Sequence, residues 1–235
     1  MMRRGWLGGR VPWLAALAWV AAVATCYGYW WVALNGPWAE QYGDRLAAVG
    51  ELVPVLLGAL ALYAMTPRLD WVDAQSPRPI RLIDAVGAAV TVLAFGAAPL
   101  LARVLWEVGD FYVTFVPPEW TLADPALRAE AAPWSLFVLF GCTITVVLSA
   151  TLVGIALLGP LLGAASVLLW LFLLLLVQAQ GGLDLIDPTA EGTQLGWPGV
   201  ALVLALLAAG LASHRWSAAG RRPAVVLIAD RLSRR

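Results

Sequence analysis

The chain has 235 residues, of which 61% are hydrophobic and 13% are charged, and its mean hydropathy is +0.80. Soluble domains carry about 25% charged residues, so this chain has too few charged side chains to cover a water-exposed surface. The formal net charge is zero, and no nucleic-acid partner is expected. The composition therefore predicts a membrane protein whose main surroundings are the lipid bilayer.

Six apolar segments meet or approach the length that a membrane-spanning helix needs. A bilayer core about 30 Å thick requires roughly 20 residues in a helix. The segments are continuous and lack the period-two alternation of barrel strands. We therefore predict an all-α, polytopic fold with a single transmembrane domain over residues 1–235. The predicted helices cover about 12–34, 46–66, 82–106, 134–156, 160–178 and 198–214.

Helices four and five are predicted to form a tight hairpin. Gly159 and Pro160 lie between two apolar runs that together are too long for one crossing. Proline suits the first turn of a helix and disrupts a helix interior. The pair is therefore predicted to end one helix and begin the next.

The arginines predict an orientation. All fifteen basic residues are Arg, and twelve of them lie before residue 12, in the loop 67–81 or in the tail 215–235. Eleven of the fifteen acidic residues lie on the opposite side of the predicted membrane. Since Lys and Arg concentrate in cytoplasmic segments, both termini are predicted to be cytoplasmic. The tail is then predicted to be a basic cytoplasmic segment. The predicted location is a bacterial inner (plasma) membrane.

Motifs for catalysis and cofactor binding are missing from the sequence. The only histidine is His214, and Cys26 and Cys142 lie in separate apolar runs, so neither a zinc site nor a bis-histidine haem site is expected. No G-x-x-x-x-G-K-[ST] stretch occurs, which excludes a P-loop for ATP. We expect no enzymatic activity, no cofactor and no metal.

Several charged residues lie within or at the ends of the predicted helices. Ionisable groups in hydrocarbon are costly and by default indicate function. Arg103 and Glu107 are four residues apart and can pair on one helix face, and Asp84 can pair with Arg81 in the same way. Glu51 lies about one and a half turns inside the second helix. Two interpretations remain open for these residues: local pairing at the interface, or the lining of a polar path.

Hydroxyl groups mark one face of the fourth helix. Thr145 and Ser149 are four residues apart, with Gly141 and Gly154 on the same helix. Small and hydroxylated residues allow close helix contacts, so a helix–helix seam is one interpretation and a substrate-facing stripe is the other. The polar-path hypothesis thus comprises Glu51, Asp84, Arg103, Glu107, Thr145 and Ser149.

The loop 67–81 alternates apolar and acidic residues before a Ser76–Pro77 stop. A short amphipathic helix lying on the membrane surface fits this pattern. It is either a linker at the interface or a docking element for a cytoplasmic partner. The candidate docking residues are Leu69, Asp70, Trp71, Val72, Asp73 and Arg78.

The stretch from Thr66 to Leu82 resembles a loop in small actinobacterial permease subunits of type-2 ABC exporters. In both, an acidic patch precedes an Arg-Pro turn into the third helix; Gly196-Trp197-Pro198 and Gly210 are also similar. Permeases of that class usually present an amphipathic helix before the first span, whereas about eleven residues precede it here. The resemblance implies a permease subunit of an ATP-driven transporter, ATP binding by a separate chain, pairing of two permease copies as a homodimer or heterodimer, and the loop 67–81 as the coupling element.

Two other functions remain open. The chain could be a non-catalytic scaffold or assembly subunit of a larger membrane complex, in which case its polar residues serve helix packing alone. It could also be a substrate-binding subunit like the vitamin-capturing components of energy-coupling transporters. That class also has six helices, but no convergent polar cluster is found at the predicted outer face.

Overall fold

The computed structural model describes residues 11–29, 49–66, 79–108, 134–179, 186–187, 194–195 and 197–217. This part of the chain forms α-helices, together with one antiparallel pair of two-residue strands. The predicted all-helical class is confirmed, whereas the strand pair was not predicted. The elements are α1 (Pro12–Tyr29), α2 (Val49–Met65), α3 (Pro79–Val108), α4 (Trp134–Leu158), α5 (Pro160–Ala165), α6 (Val167–Ala179), β1 (Ile186–Asp187), β2 (Gln194–Leu195) and α7 (Trp197–Ser217).

Within the described segments, three helices are long and apolar enough to cross a membrane. By length and composition these are α1, the segment Ile83–Val108 of α3, and α4. Shorter apolar helices occupy Val49–Met65, Pro160–Leu174 and Gly199–Ser213. This set of helices is consistent with the helical membrane protein that the composition predicts.

The helix bounds differ from the predicted ones in two instructive places. The third helix begins at Pro79, three residues before its predicted start, because proline is well suited to the first helical turn. The fifth predicted helix, 160–178, is divided at Ser166 into α5 and α6. The Ser166 hydroxyl donates to the Gly163 carbonyl at 2.7 Å, and such a side-chain bond competes with the backbone ladder.

The Gly159–Pro160 turn joins α4 to α5. Gly159 has φ 89° and ψ 170°, a conformation that is essentially restricted to glycine. Pro160 then occupies the first turn of α5. The predicted turn is present, and α5 folds back so closely that a Cβ on Gly163 would collide with the backbone of Ile155.

The first four helices alternate in direction. The Val11 N–H donates to the Ala64 carbonyl and the Cys26 thiol to the Gly50 carbonyl, so α1 and α2 are antiparallel. Trp19 of α1 contacts Ala94 of α3, and Tyr27 contacts Trp106, so α1 and α3 are parallel. Arg103 lies over Trp134 while Gly96 meets Gly141, which makes α3 and α4 antiparallel.

Helix α4 forms the centre of the bundle. Of its most apolar stretch 72% is buried, against 44% for α3 and 22% for α1. It packs against α2, α3, α5, α6 and α7, with Phe137, Ile144 and Leu148 among its fully enclosed side chains. The outward faces of other helices remain apolar, for example Val90 on α3 and Phe172 on α6, as expected of surfaces in contact with lipid.

Glycines set the distance between helices. A Cβ on Gly141 would lie 2.6 Å from the Gly96 carbonyl oxygen, and one on Gly210 would lie 2.7 Å from the Ser149 carbonyl oxygen. Close approach at small residues is a common mode of helix association in membranes. Both contacts involve α4, which is therefore held against α3 on one side and α7 on another.

We predict that Gly141→Ala lowers the free energy of unfolding by about 1–3 kcal/mol, because the new methyl group would meet backbone and not a movable side chain. Thermal unfolding of the purified protein in mild detergent measures this. Gly28→Ala is the matched control, since no atom lies within 4 Å of a Cβ placed there. Equal stability of the two variants would contradict the tight contact between α3 and α4.

Candidate functional site

Charged and aromatic side chains meet where α1 and α3 end and α4 begins. We call Tyr27, Arg103, Trp106, Glu107 and Trp134 the Trp134 cluster. Arg103 Nη1 lies 3.3 Å from Glu107 Oε1, and the Trp134 Nε1–H donates to the same oxygen at 3.1 Å. The Arg103 guanidinium carbon lies 5.1 Å from the centre of the Trp134 ring, within cation–π range. The pairing predicted for Arg103 and Glu107 is present.

Trp106 connects this cluster to α1. Its Nε1–H donates to the Tyr27 carbonyl at 3.1 Å, and the two rings meet edge-on with centres 6.2 Å apart. Tyr27 lies in the last turn of α1, where carbonyl groups have no partner within the helix. Trp106 therefore satisfies a carbonyl at a helix end.

Burial within the Trp134 cluster is uneven. The Arg103 side chain is 8% exposed, whereas the Glu107 side chain is 48% exposed. Solvent screens the charge of Glu107, so the ion pair itself contributes little. The aliphatic stem of Arg103 and its contact with the Trp134 ring are enclosed, and these contacts stabilise the junction of α3 and α4.

We expect Arg103→Ala to lower the free energy of unfolding by about 1–3 kcal/mol, because it removes a buried stem and the cation–π contact. Glu107→Gln should change it by less than about 0.5 kcal/mol, as is usual for an exposed ion pair. Thermal unfolding in detergent compares the two variants. A larger loss from Glu107→Gln would show that the ion pair dominates the junction.

Glu51 is the most deeply enclosed charged residue of the described segments, with 2% of its surface exposed. It lies in the first turn of α2, where the partial positive charge of the helix end favours a carboxylate. Gly58 of α2 lies against Leu148 of α4. Because α2 and α4 are parallel, Glu51 lies at the level of Gly141, about 10 Å further into the bundle than Trp134.

Three hydroxyl groups of α4 donate hydrogen bonds within their own helix. Thr145 donates to the Gly141 carbonyl at 2.8 Å, Ser149 to the Thr145 carbonyl at 2.6 Å, and Thr151 to the Val147 carbonyl at 2.8 Å. This arrangement removes their donors from the surrounding helices. Thr145 also contacts Gly96 of α3. The geometry favours the seam interpretation of this face, and a polar-path role for Thr145 and Ser149 stays a prediction.

Asp84 lies at the opposite end of the bundle from Trp134. It is 7% exposed and lines a small pocket together with Leu62, Met65, Thr66, Gly87, Ala88 and Leu152. The volume of this pocket, about 10 Å³, is close to the minimum for one water molecule. The predicted pairing with Arg81 involves a side chain outside the described residues.

The six polar-path residues thus occupy four separate places. Arg103 and Glu107 lie in the Trp134 cluster, Thr145 and Ser149 lie in the seam of α4, and Asp84 lies at the far end. Glu51 lies about 10 Å further into the bundle than Trp134. Among the described residues no group of three or more His, Cys, Asp or Glu side chains could hold a metal ion.

The candidate docking residues, Leu69, Asp70, Trp71, Val72, Asp73 and Arg78, all lie outside the described residues. Their role stays a prediction. Met65 and Thr66 are the last described residues before the loop. Both line the Asp84 pocket.

No family model, no curated protein and no solved structure matches this chain.

Proposed function

We propose that the chain is a multi-pass subunit of the bacterial inner membrane, with six spans and both termini in the cytoplasm. Three long apolar helices and three shorter ones support this number. Helices α5 and α6 follow one another with backbone bonds continuing through their junction: the Ser166 N–H donates to the Leu162 carbonyl and the Trp170 N–H to the Ser166 carbonyl. Together they reach the length of one crossing. The distribution of arginines supports the orientation.

We further propose that this subunit is the permease of an ATP-driven transporter, working with a separate ATPase chain. The observation that supports this most is the burial of two acidic residues, Glu51 and Asp84, at different levels of an otherwise apolar bundle. Burial of a carboxyl group is costly, so acidic residues inside a membrane bundle are by default functional. Asp84 borders the end of α2, from which the loop with the candidate docking residues continues.

A second candidate, a scaffold or assembly subunit, is favoured by a different observation. The hydroxyl groups of Thr145 and Ser149 donate to their own helix, and glycines of neighbouring helices lie against these residues. This interior is packed as a structural seam. In a scaffold, Glu51 and Asp84 would contribute to packing alone.

The partner is tested by capture of the tagged full chain from its own membrane in mild detergent, followed by mass spectrometry. A permease should bring a P-loop ATPase with it in stoichiometric amount. Asp70→Asn with Asp73→Asn should reduce the recovered ATPase several-fold, because it removes the acidic residues of the docking loop. Asp124→Asn, in the predicted opposite loop, is the matched control. An eluate without an ATPase would favour the scaffold.

The two buried acids are tested in the captured complex. We expect Glu51→Gln and Asp84→Asn each to lower ATP hydrolysis at least several-fold while the complex stays assembled, because hydrolysis in a transporter is coupled to movements of the permease. Glu107→Gln, at an exposed carboxylate of the same bundle, should leave hydrolysis unchanged. Full hydrolysis in both buried-acid variants would assign these residues to packing.

A further inference from the structure

Two helices of the bundle contain an interior proline. Pro54 lies within α2 and Pro99 within α3. Proline has no N–H group, so it cannot donate to the carbonyl four residues earlier. The carbonyls deprived of a helical donor are those of Gly50 and Phe95. In apolar surroundings such carbonyls need another donor from within the protein.

Helix α1 supplies the donor to the first of these breaks. The Cys26 thiol donates to the Gly50 carbonyl at 3.4 Å, the carbonyl that Pro54 leaves open. Cys26 is fully buried, so water does not compete for this bond. A thiol is a weak donor, which makes the bond easy to break when the helices separate.

The same helix also bonds to α3 beside the second break. The Trp19 Nε1–H donates to the Ala94 carbonyl at 2.8 Å, and Ala94 directly precedes Phe95. Trp19 and Cys26 are seven residues apart, which places them on one face of α1, two turns from each other. Ala22 on this face is fully buried, and its small side chain permits close contact with α2 and α3.

We propose that α1 is a releasable strap that holds α2 and α3 in their present arrangement at the two proline breaks. Its bonds at the two breaks come from Cys26 and Trp19. The Val11–Ala64 and Trp106–Tyr27 bonds hold its two ends. Release of α1 deprives the Gly50 carbonyl of its donor and frees α2 and α3 to bend at Pro54 and Pro99, where each helix ladder already lacks a bond. Because the strap is a property of the bundle, it does not depend on an ATPase partner or on transport.

The strap is tested by alkylation of Cys26 with N-ethylmaleimide in native membranes, in a Cys142→Ala background that leaves Cys26 as the only thiol. Trp19→Phe keeps an aromatic ring and removes the N–H donor. It should raise the labelling rate of Cys26 several-fold, because α1 separates from α3 more often. Trp13→Phe is the matched control, since Trp13 is on the same helix and 64% exposed. An unchanged rate in the Trp19 variant, or an equal rise in both variants, would overturn the proposal.

The link between Cys26 and Pro54 is tested separately by thermal unfolding of purified protein. Cys26→Ala should lower the midpoint by a few degrees, whereas Cys26→Ser retains a donor and should lower it less. In a Pro54→Ala background, residue 54 regains its N–H and bonds the Gly50 carbonyl itself, so Cys26→Ala should have little further effect. An equal loss in both backgrounds would overturn the proposal. If Pro54→Ala does not fold, the proposal is overturned when Cys26→Ala and Cys26→Ser lower the midpoint equally.

Discussion

The bundle depends on one constraint: in apolar surroundings every backbone and side-chain polar group needs a partner inside the protein. The hydroxyls of Thr145 and Ser149 meet it by bonding to their own helix. The carbonyl of Tyr27 meets it through the indole of Trp106. The Gly50 carbonyl, which Pro54 deprives of its usual donor, meets it through the Cys26 thiol.

Close packing follows from the same requirement. Because the hydroxyls of Thr145 and Ser149 are turned back to their own helix, the neighbouring helices need not provide polar partners at these positions. They can present glycine instead, and Gly96 and Gly210 do so. The central position of α4 is consistent with its many small residues. Glu51 lies in the first turn of α2, where the exposed backbone dipoles favour a carboxylate.

Local pattern predicted the all-helical class, the Gly159–Pro160 turn and the pair of Arg103 with Glu107, because each depends on residues close together in sequence. Local pattern did not identify the partners of Trp19 and Trp106, which lie 75 and 79 residues away. The residue that satisfies the open Gly50 carbonyl depends on how α1 packs, and sequence spacing gives no indication of that.

The central position of α4 has a consequence for biogenesis. The ribosome releases α1, α2 and α3 before α4, and these three helices contact one another directly. Until α4 is inserted, the faces of Gly96 and Gly58 that it later covers are exposed to lipid or to the insertion machinery. Helices α5 and α7 in turn have their main packing surface on α4. Completion of the bundle therefore waits for a single helix in the middle of the chain, which joins the three earlier helices to those that follow.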